Sequence, residues 1–412
     1  MRWLQTLSLI WGLGLGLVTY PACAQAGILF TLHLDEYSVK PNGTYTEGTL
    51  ILSQINEVFD RNGERVELGR PFVPAGASTD TALALFKVLW VGNLFRDTRV
   101  PYLNDHDQFC RVIGGFGYQQ NTAQIAERGR LFGAQAGSNG LADLFALCGF
   151  YTTEHHYGPL KFNGLVSATL KEPIGQYDPD AMLNVGTNYR TITPQVAFNA
   201  NLYGRLSIDG TLAYQINGDN DQPAFGGTTP TRIADWINAE VNFAWKFSEH
   251  WYADLGYSWH RSVGSNYYDQ VSVNFKDQPL APETLCGALG IGSTLCNSPV
   301  LDSFYLAPRS GPYADNGVQS SLVSAGIYYV YRTSTVLQAR LVQPISGRGS
   351  QIDVVYDVCA VSDCPGPDRN NTGVGDNAFA QEVATLFGVG EAAATSASPY
   401  LEFRFVYLFW AP

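Results

Sequence analysis

The stretch that decides the fold is residues 231–262, TRIADWINAEVNFAWKFSEHWYADLGYSWHRS. It reads as two strands joined by a turn at Ser248-Glu249-His250. In the first arm Val241, Phe243, Trp245 and Phe247 alternate with Glu240, Asn242, Ala244 and Lys246. In the second Trp251, Ala253, Leu255, Tyr257 and Trp259 alternate with Tyr252, Asp254, Gly256, Ser258 and His260. Successive side chains of a strand point to opposite faces, so this period of two sets an apolar face against a polar one. An amphipathic hairpin is also half of a soluble β-sandwich, but sandwich strands run about 5–6 residues. Each arm here reaches the roughly 9–11 residues with which a tilted strand crosses a bilayer. Large aromatics gather near the strand ends, as in the girdles that flank the apolar band of a membrane barrel. Phe243, Trp245, Phe247, Trp251, Tyr257 and Trp259 are therefore expected to face lipid or its interface.

The pattern recurs outward in both directions. In residues 159–171, Leu160, Phe162, Gly164, Val166, Ala168 and Leu170 share one face, opposite Lys161, Asn163, Ser167, Thr169 and Lys171. Further strands are predicted at 43–60, 79–92, 108–119, 141–153, 189–200, 203–217, 318–331, 335–345 and 400–410. Short connections near 154–158, 201–202, 248–250 and 332–334 alternate with long polar loops at 172–188, 218–230, 263–317 and 346–398. Short periplasmic turns and long outer loops are the bacterial outer-membrane arrangement. The expected fold is an all-β, transmembrane antiparallel β-barrel of about 12 strands (range roughly 10–14), with both ends periplasmic. The aromatic last strand, from Tyr400 to Trp410, resembles the terminal signal read by the outer-membrane assembly machinery, apart from the trailing Ala411-Pro412. Residues 28–38 are ambiguous: a strand, or a segment tucked into the lumen.

Composition points the same way. Charged residues make up 15% of the 412, against about 25% in an average soluble domain. The chain holds 42 Gly and 13% aromatic residues. No apolar run beyond the N-terminus is long enough for a membrane-spanning helix. A formal charge of −12 argues against a nucleic-acid partner. Residues 1–26 read as a secretory signal peptide, with Arg2, an apolar stretch from Leu4 to Val18, and small residues around Ala22-Cys23-Ala24. That leaves 27–412 as the barrel. Tyr20-Pro21-Ala22 before Cys23 makes a poor lipoprotein signal.

Six cysteines remain, and an exported chain permits disulfides. Cys286 with Cys296, and Cys359 with Cys364, are close in sequence and lie in loop-like segments, so these pairs are the disulfide candidates. Cys110 and Cys148 form the weaker remainder. No C-x-x-C pair exists, so no thiolate metal site is expected, and no cofactor is called for.

The inward-facing charges are the candidate lumen residues: Lys161, Lys171, Arg205, Asp209, Glu240, Lys246, Asp254, His260, Arg340, Glu402 and Arg404. A lumen lined by both signs can select solutes. The bland alternative is that these charges pair with one another and plug a narrow barrel. Catalysis is not expected. Ser258 and His260 share a face, but that face points inward, and two residues on one strand are a weak sign of a hydrolase. Glu154-His155-His156 falls in a predicted turn, and Asp178-Pro179-Asp180 and Asp219-Asn220-Asp221 read as plain turns rather than metal sites.

Residues 158–200, GPLKFNGLVSATLKEPIGQYDPDAMLNVGTNYRTITPQVAFNA, carry a further signal. Pro173, Gly175 and Tyr177, then Leu183, Asn184, Gly186, Asn188 and Tyr189, then Pro194, resemble the outer-membrane family named for the meta-cleavage pathway of phenol degradation. The likeness covers about residues 43–262, and the C-terminal third only by its strand pattern; the cysteine-bearing loops 263–317 and 346–398 depart from the family. The resemblance implies a bacterial outer-membrane channel or transporter for small hydrophobic, often aromatic, compounds. Its partners would be outer-membrane lipid and lipopolysaccharide, the assembly machinery and a small apolar solute. The alternative is a structural or adhesive barrel that binds partners through its long loops.

Overall fold

The alternating segments fold into a closed, antiparallel, up-and-down sheet of twelve long strands. The computed structural model describes residues 37–59, 63–67, 78–93, 106–122, 137–179, 184–222, 231–263, 267–268, 271–273, 304–306, 319–331, 335–348 and 395–410. The strands are β1 (Gly43–Ile55), β2 (Thr79–Gly92), β3 (Gln108–Asn121) and β4 (Leu144–Tyr151). They continue with β5 (Leu160–Glu172), β6 (Thr191–Leu202), β7 (Leu206–Asn217) and β8 (Asp235–Lys246). The last four are β9 (Trp251–Val263), β10 (Gln319–Tyr331), β11 (Thr335–Arg348) and β12 (Tyr400–Trp410). Each strand pairs with its neighbour in the chain, and β12 pairs with β1 along Thr44–Ser53 to close the ring. Closure leaves the wall without a free sheet edge, which is what a sheet surrounded by lipid requires.

Burial follows the period of two and runs opposite to that of a soluble protein. Outward positions carry exposed Phe86, Val112, Val196, Leu212, Phe243, Leu337 and Phe403, with Leu255 64% exposed. Inward positions carry buried Glu47, Lys87, Asp209, Asn242, Asp254, His260 and Arg340. A belt of exposed apolar side chains around a polar interior is stable only where lipid surrounds it. The protein is an outer-membrane β-barrel.

Local deviations have physical causes. The turn between β6 and β7 falls at Tyr203-Gly204-Arg205, two residues beyond the expected 201–202, where Tyr203 (φ 55°) and Gly204 (φ 63°) take left-handed conformations. Before β4, residues Gly137–Leu141 continue the pairing with β3 and then break at Ala142-Asp143. That interruption turns the Asp143 side chain into the buried interior. The one disulfide among the described residues is Cys110–Cys148, with Cα atoms 4.1 Å apart in register between β3 and β4. It corrects the ranking that placed this pair last. Cross-strand register, invisible in spacing, is what brings the two sulfurs together. Cys286, Cys296, Cys359 and Cys364 lie outside the described residues, as do residues 1–36 with the expected signal peptide.

Candidate functional site

The lumen wall is polar over most of its circumference and carries apolar patches on one side. From β7 round to β2 it is polar. Arg340 on β11 pairs with Asp254 on β9, donates to Tyr328 Oη at 3.0 Å and to Asn242 Oδ1 at 3.3 Å, and stands opposite Glu402 on β12. On the next strands Arg404 Nη2 lies 2.6 Å from Glu47 Oε2, Lys87 on β2 pairs with Glu47, and Thr49 Oγ1 donates to Glu47 at 3.1 Å. Asp254, Arg340, Glu402, Arg404, Glu47 and Lys87 thus form a belt of alternating sign that sums to zero. In a low-dielectric interior each such charge is tolerable only because its neighbours are opposite and hydrogen-bonded. His260 Nδ1 meets Asn238 Oδ1 at 2.9 Å, and its Nε2 lies 4.0 Å from Glu240.

Between β2 and β6 the inner wall carries two apolar patches set among buried polar groups such as Lys87, Gln119, Asn163, Ser167, Lys171 and Asn199. Leu89, Val91, Phe109, Tyr151, Leu165 and Ala197 form one buried cluster, and Leu85, Ile113 and Phe145 a second. The N-terminal segment enters the barrel against the first cluster, where Tyr37 and Val39 pack. Three strands grip Tyr37: its backbone N–H donates to Asp209 Oδ1 (3.1 Å), its carbonyl accepts from Asn163 Nδ2 (2.8 Å), and its hydroxyl accepts from Gln195 Nε2 (2.7 Å). Asp209 is itself held by Asn199 Nδ2 at 2.9 Å.

From the outer side, the connection between β5 and β6 folds down onto the part of the wall that carries the patches. Asp143 Oδ1 accepts from Gly175 N–H at 3.0 Å; Oδ2 accepts from Thr187 N–H at 3.0 Å and from its hydroxyl at 2.6 Å. Lys171 stands 3.9 Å from Asp143, hydrogen-bonds Thr187, and rests over the Tyr189 ring at 3.6 Å. Asn184 brackets Asp178, accepting from its N–H at 2.7 Å and donating to its carbonyl at 3.0 Å. Gly175 and Gly186 touch back to back, and a Cβ on Gly175 would lie 2.8 Å from the Gly186 Cα. Val185 packs so tightly on β3 that a Cβ on Gly117 would meet it at 2.6 Å. The Gly, Asn and Tyr positions that carried the resemblance are thus the folding code of this cap.

The expected lumen residues divide by height. Lys171, Asp209, Asp254, His260, Arg340 and Glu402 are buried inside the barrel, and Glu240 and Arg404 have nearly buried side chains there. Lys161, 3.7 Å from Glu154, is exposed at the rim of the short turns. Arg205 is exposed in the β6–β7 turn, and Lys246 sits at the end of β8 over the Tyr252 ring. On the outer face Phe243, Trp245, Phe247, Trp251 and Tyr257 are exposed and Trp259 is half-buried. Reading strands by charge alone missed Glu47, Lys87 and Asp143. Glu47 and Lys87 carry the alternation signal in β1 and β2; Asp143 has no such signal, because it lies in a break.

The fold and this lumen define a class, the outer-membrane β-barrels. A family model described as the MetA-pathway of phenol degradation matches residues 69–281, just over half of the chain, and the chain belongs to that family. An outer membrane channel from Pseudomonas putida F1 shares the fold at 12% identity, with 92% of this chain and 100% of that one covered and a TM-score of 0.58. The transport unit of the autotransporter AIDA-I from Escherichia coli (8% identity, 94% and 95% covered) has a TM-score of 0.38. The deltaS2S3 mutant of the TodX monoaromatic hydrocarbon channel (8% identity, 90% and 91% covered) has a TM-score of 0.33. No curated protein sequence matches the chain.

Proposed function

We propose that this barrel conducts small hydrophobic, chiefly aromatic, compounds across the outer membrane. The observation that carries the reading is the pair of apolar patches in the inner wall. Two apolar patches, one including Leu89, Val91, Leu165 and Ala197 and the other Leu85 and Ile113, interrupt the polar wall between β2 and β6, beside a charge belt whose members neutralise one another. An aqueous porin lines its channel with polar groups. An apolar solute instead needs a surface that does not force it to strip water from charges. Family membership and the channel from Pseudomonas putida F1 support the same reading.

The role is passage rather than catalysis. Ser258 and His260 are buried in the inner wall, away from any lipid ester. The outer face contacts lipopolysaccharide in the outer leaflet, and the aromatic alternation of β12 is the segment the assembly machinery engages. Residues 27–412 serve as the mature barrel after removal of 1–26.

The test is flux of labelled toluene and glucose into vesicles that hold the full-length protein and whose outer leaflet is lipopolysaccharide, which apolar solutes cross poorly. Toluene should enter well above protein-free vesicles while glucose does not. Equal entry of toluene with and without protein, in vesicles where the barrel is folded, favours a structural or adhesive role. Shortening loops 263–317 and 346–398 separates the two, because it leaves flux intact but abolishes adhesion.

A further inference from the structure

We propose that the place held by the Tyr37 side chain is a binding subsite for small hydroxylated aromatics, and that Tyr37 acts there as a tethered phenol which a solute displaces. The proposal rests on the reading of the barrel as an aromatic-compound channel and adds to it a site, a chemical preference and a gate.

The geometry is that of a phenol site. The side chain of tyrosine is a para-alkylphenol. The Tyr37 side chain packs on the apolar cluster that includes Phe109, Leu165 and Ala197. Its hydroxyl receives the Gln195 amide N–H at 2.7 Å. An apolar wall with one aimed polar group is how proteins recognise a largely apolar ligand, the wall supplying affinity and the polar group orientation. Gln195 occupies an inward position of β6, directly opposite Ser167 of β5, so the group that reads the hydroxyl is mounted on the rigid wall of the barrel.

The backbone contacts explain how the tethered ring is held and how it leaves. The Tyr37 N–H and carbonyl are clamped by Asp209 and Asn163, whose side chains are almost wholly buried. These bonds are made by Tyr37, in the segment 37–42 that lies before the first barrel strand at Gly43. Withdrawing that segment breaks no pair of the barrel ladder. A free phenol offers the same ring and the same hydroxyl without the peptide, so it competes for the wall and for Gln195 while the clamp opens.

The experiment reads binding rather than flux. Full-length protein in detergent micelles is titrated with 4-fluorophenol and with fluorobenzene, followed by 19F line broadening. Wild type should bind both weakly. Tyr37→Ala should bind 4-fluorophenol several-fold more tightly than wild type does, and about tenfold more tightly than it binds fluorobenzene, the worth of one well-made hydrogen bond. Adding Gln195→Leu should erase that preference while leaving fluorobenzene binding in place. Tyr37→Phe, which keeps the ring and loses only the hydroxyl, should fall between wild type and Tyr37→Ala, and it serves if the alanine variant does not fold. Unchanged 4-fluorophenol binding in Tyr37→Ala or Tyr37→Phe overturns the proposal, as does a preference that survives Gln195→Leu. Toluene flux with no phenol binding would defeat the site alone; binding with no flux of any aromatic would defeat the channel reading alone.

Discussion

At the scale of the residue, two positions test the inside-out reading. Leu212 lies midway along β7 and is 53% exposed on the outer face. Leu212→Lys should cost about 2–4 kcal/mol of folding free energy, the penalty for a cation on the lipid face near the bilayer midplane. Urea titration of the reversibly folded barrel in lipid vesicles measures it, and a change near zero would mean that Leu212 does not meet the hydrocarbon. Arg340 tests the interior. Arg340→Met leaves Asp254 buried with its cation gone, together with Glu402 across the strand pair. Loss of one partner of a buried pair costs roughly 3–5 kcal/mol. Adding Asp254→Leu should recover a large part of that loss, because the uncompensated charge is removed. The same titration decides whether the double variant is more stable than the single one.

At the scale of the element, the cap between β5 and β6 is the part whose removal changes most. Asp143 alone receives three of its hydrogen bonds, two from Thr187 and one from Gly175. Asp143→Ala should release the segment from the wall while the ladder of β3, β4 and β5 persists. Added protease should then cut within residues 173–190 of the folded barrel in vesicles, where the wild type resists. Solute entry should rise if the cap limits passage. An uncut segment in the variant would show that Gly175, Gly186 and Asn184 hold the fold without Asp143. Much of this element is written in the sequence, since Gly175 and Gly186 must be small to meet and Asn184 must be an amide to bracket Asp178. Its anchor is not, because Asp143 lies more than thirty residues away and reaches the loop only through the break before β4.

At the scale of the whole molecule, a closed ring of twelve strands should behave as one cooperative unit in detergent. The unheated protein should migrate on a gel at a position different from the boiled one, since every strand is paired on both sides and the ring opens only all at once. Identical migration would contradict closure between β12 and β1.

The sequence by itself determined the strands, their inner and outer faces and their number. Side-chain direction alternates strictly with residue number, so Val241 to Phe247 and Trp251 to Trp259 declare which face meets lipid before any neighbour is known. It also determined the sign and position of Asp254, Arg340, Glu402 and Arg404 on the inner face. Only the tertiary structure decided which of those charges meet. Pairing depends on the register between strands and on closure of the ring, so Glu47 near one end of the chain finds Arg404 near the other, 357 residues away. The Cys110–Cys148 disulfide was decided in the same way, by register rather than by spacing. So was the hold on Tyr37, where partners on β5, β6 and β7 converge only because the barrel curves them around one point. Local periodicity is a property of consecutive residues; curvature and closure are properties of the finished sheet, and the lumen is made by the second.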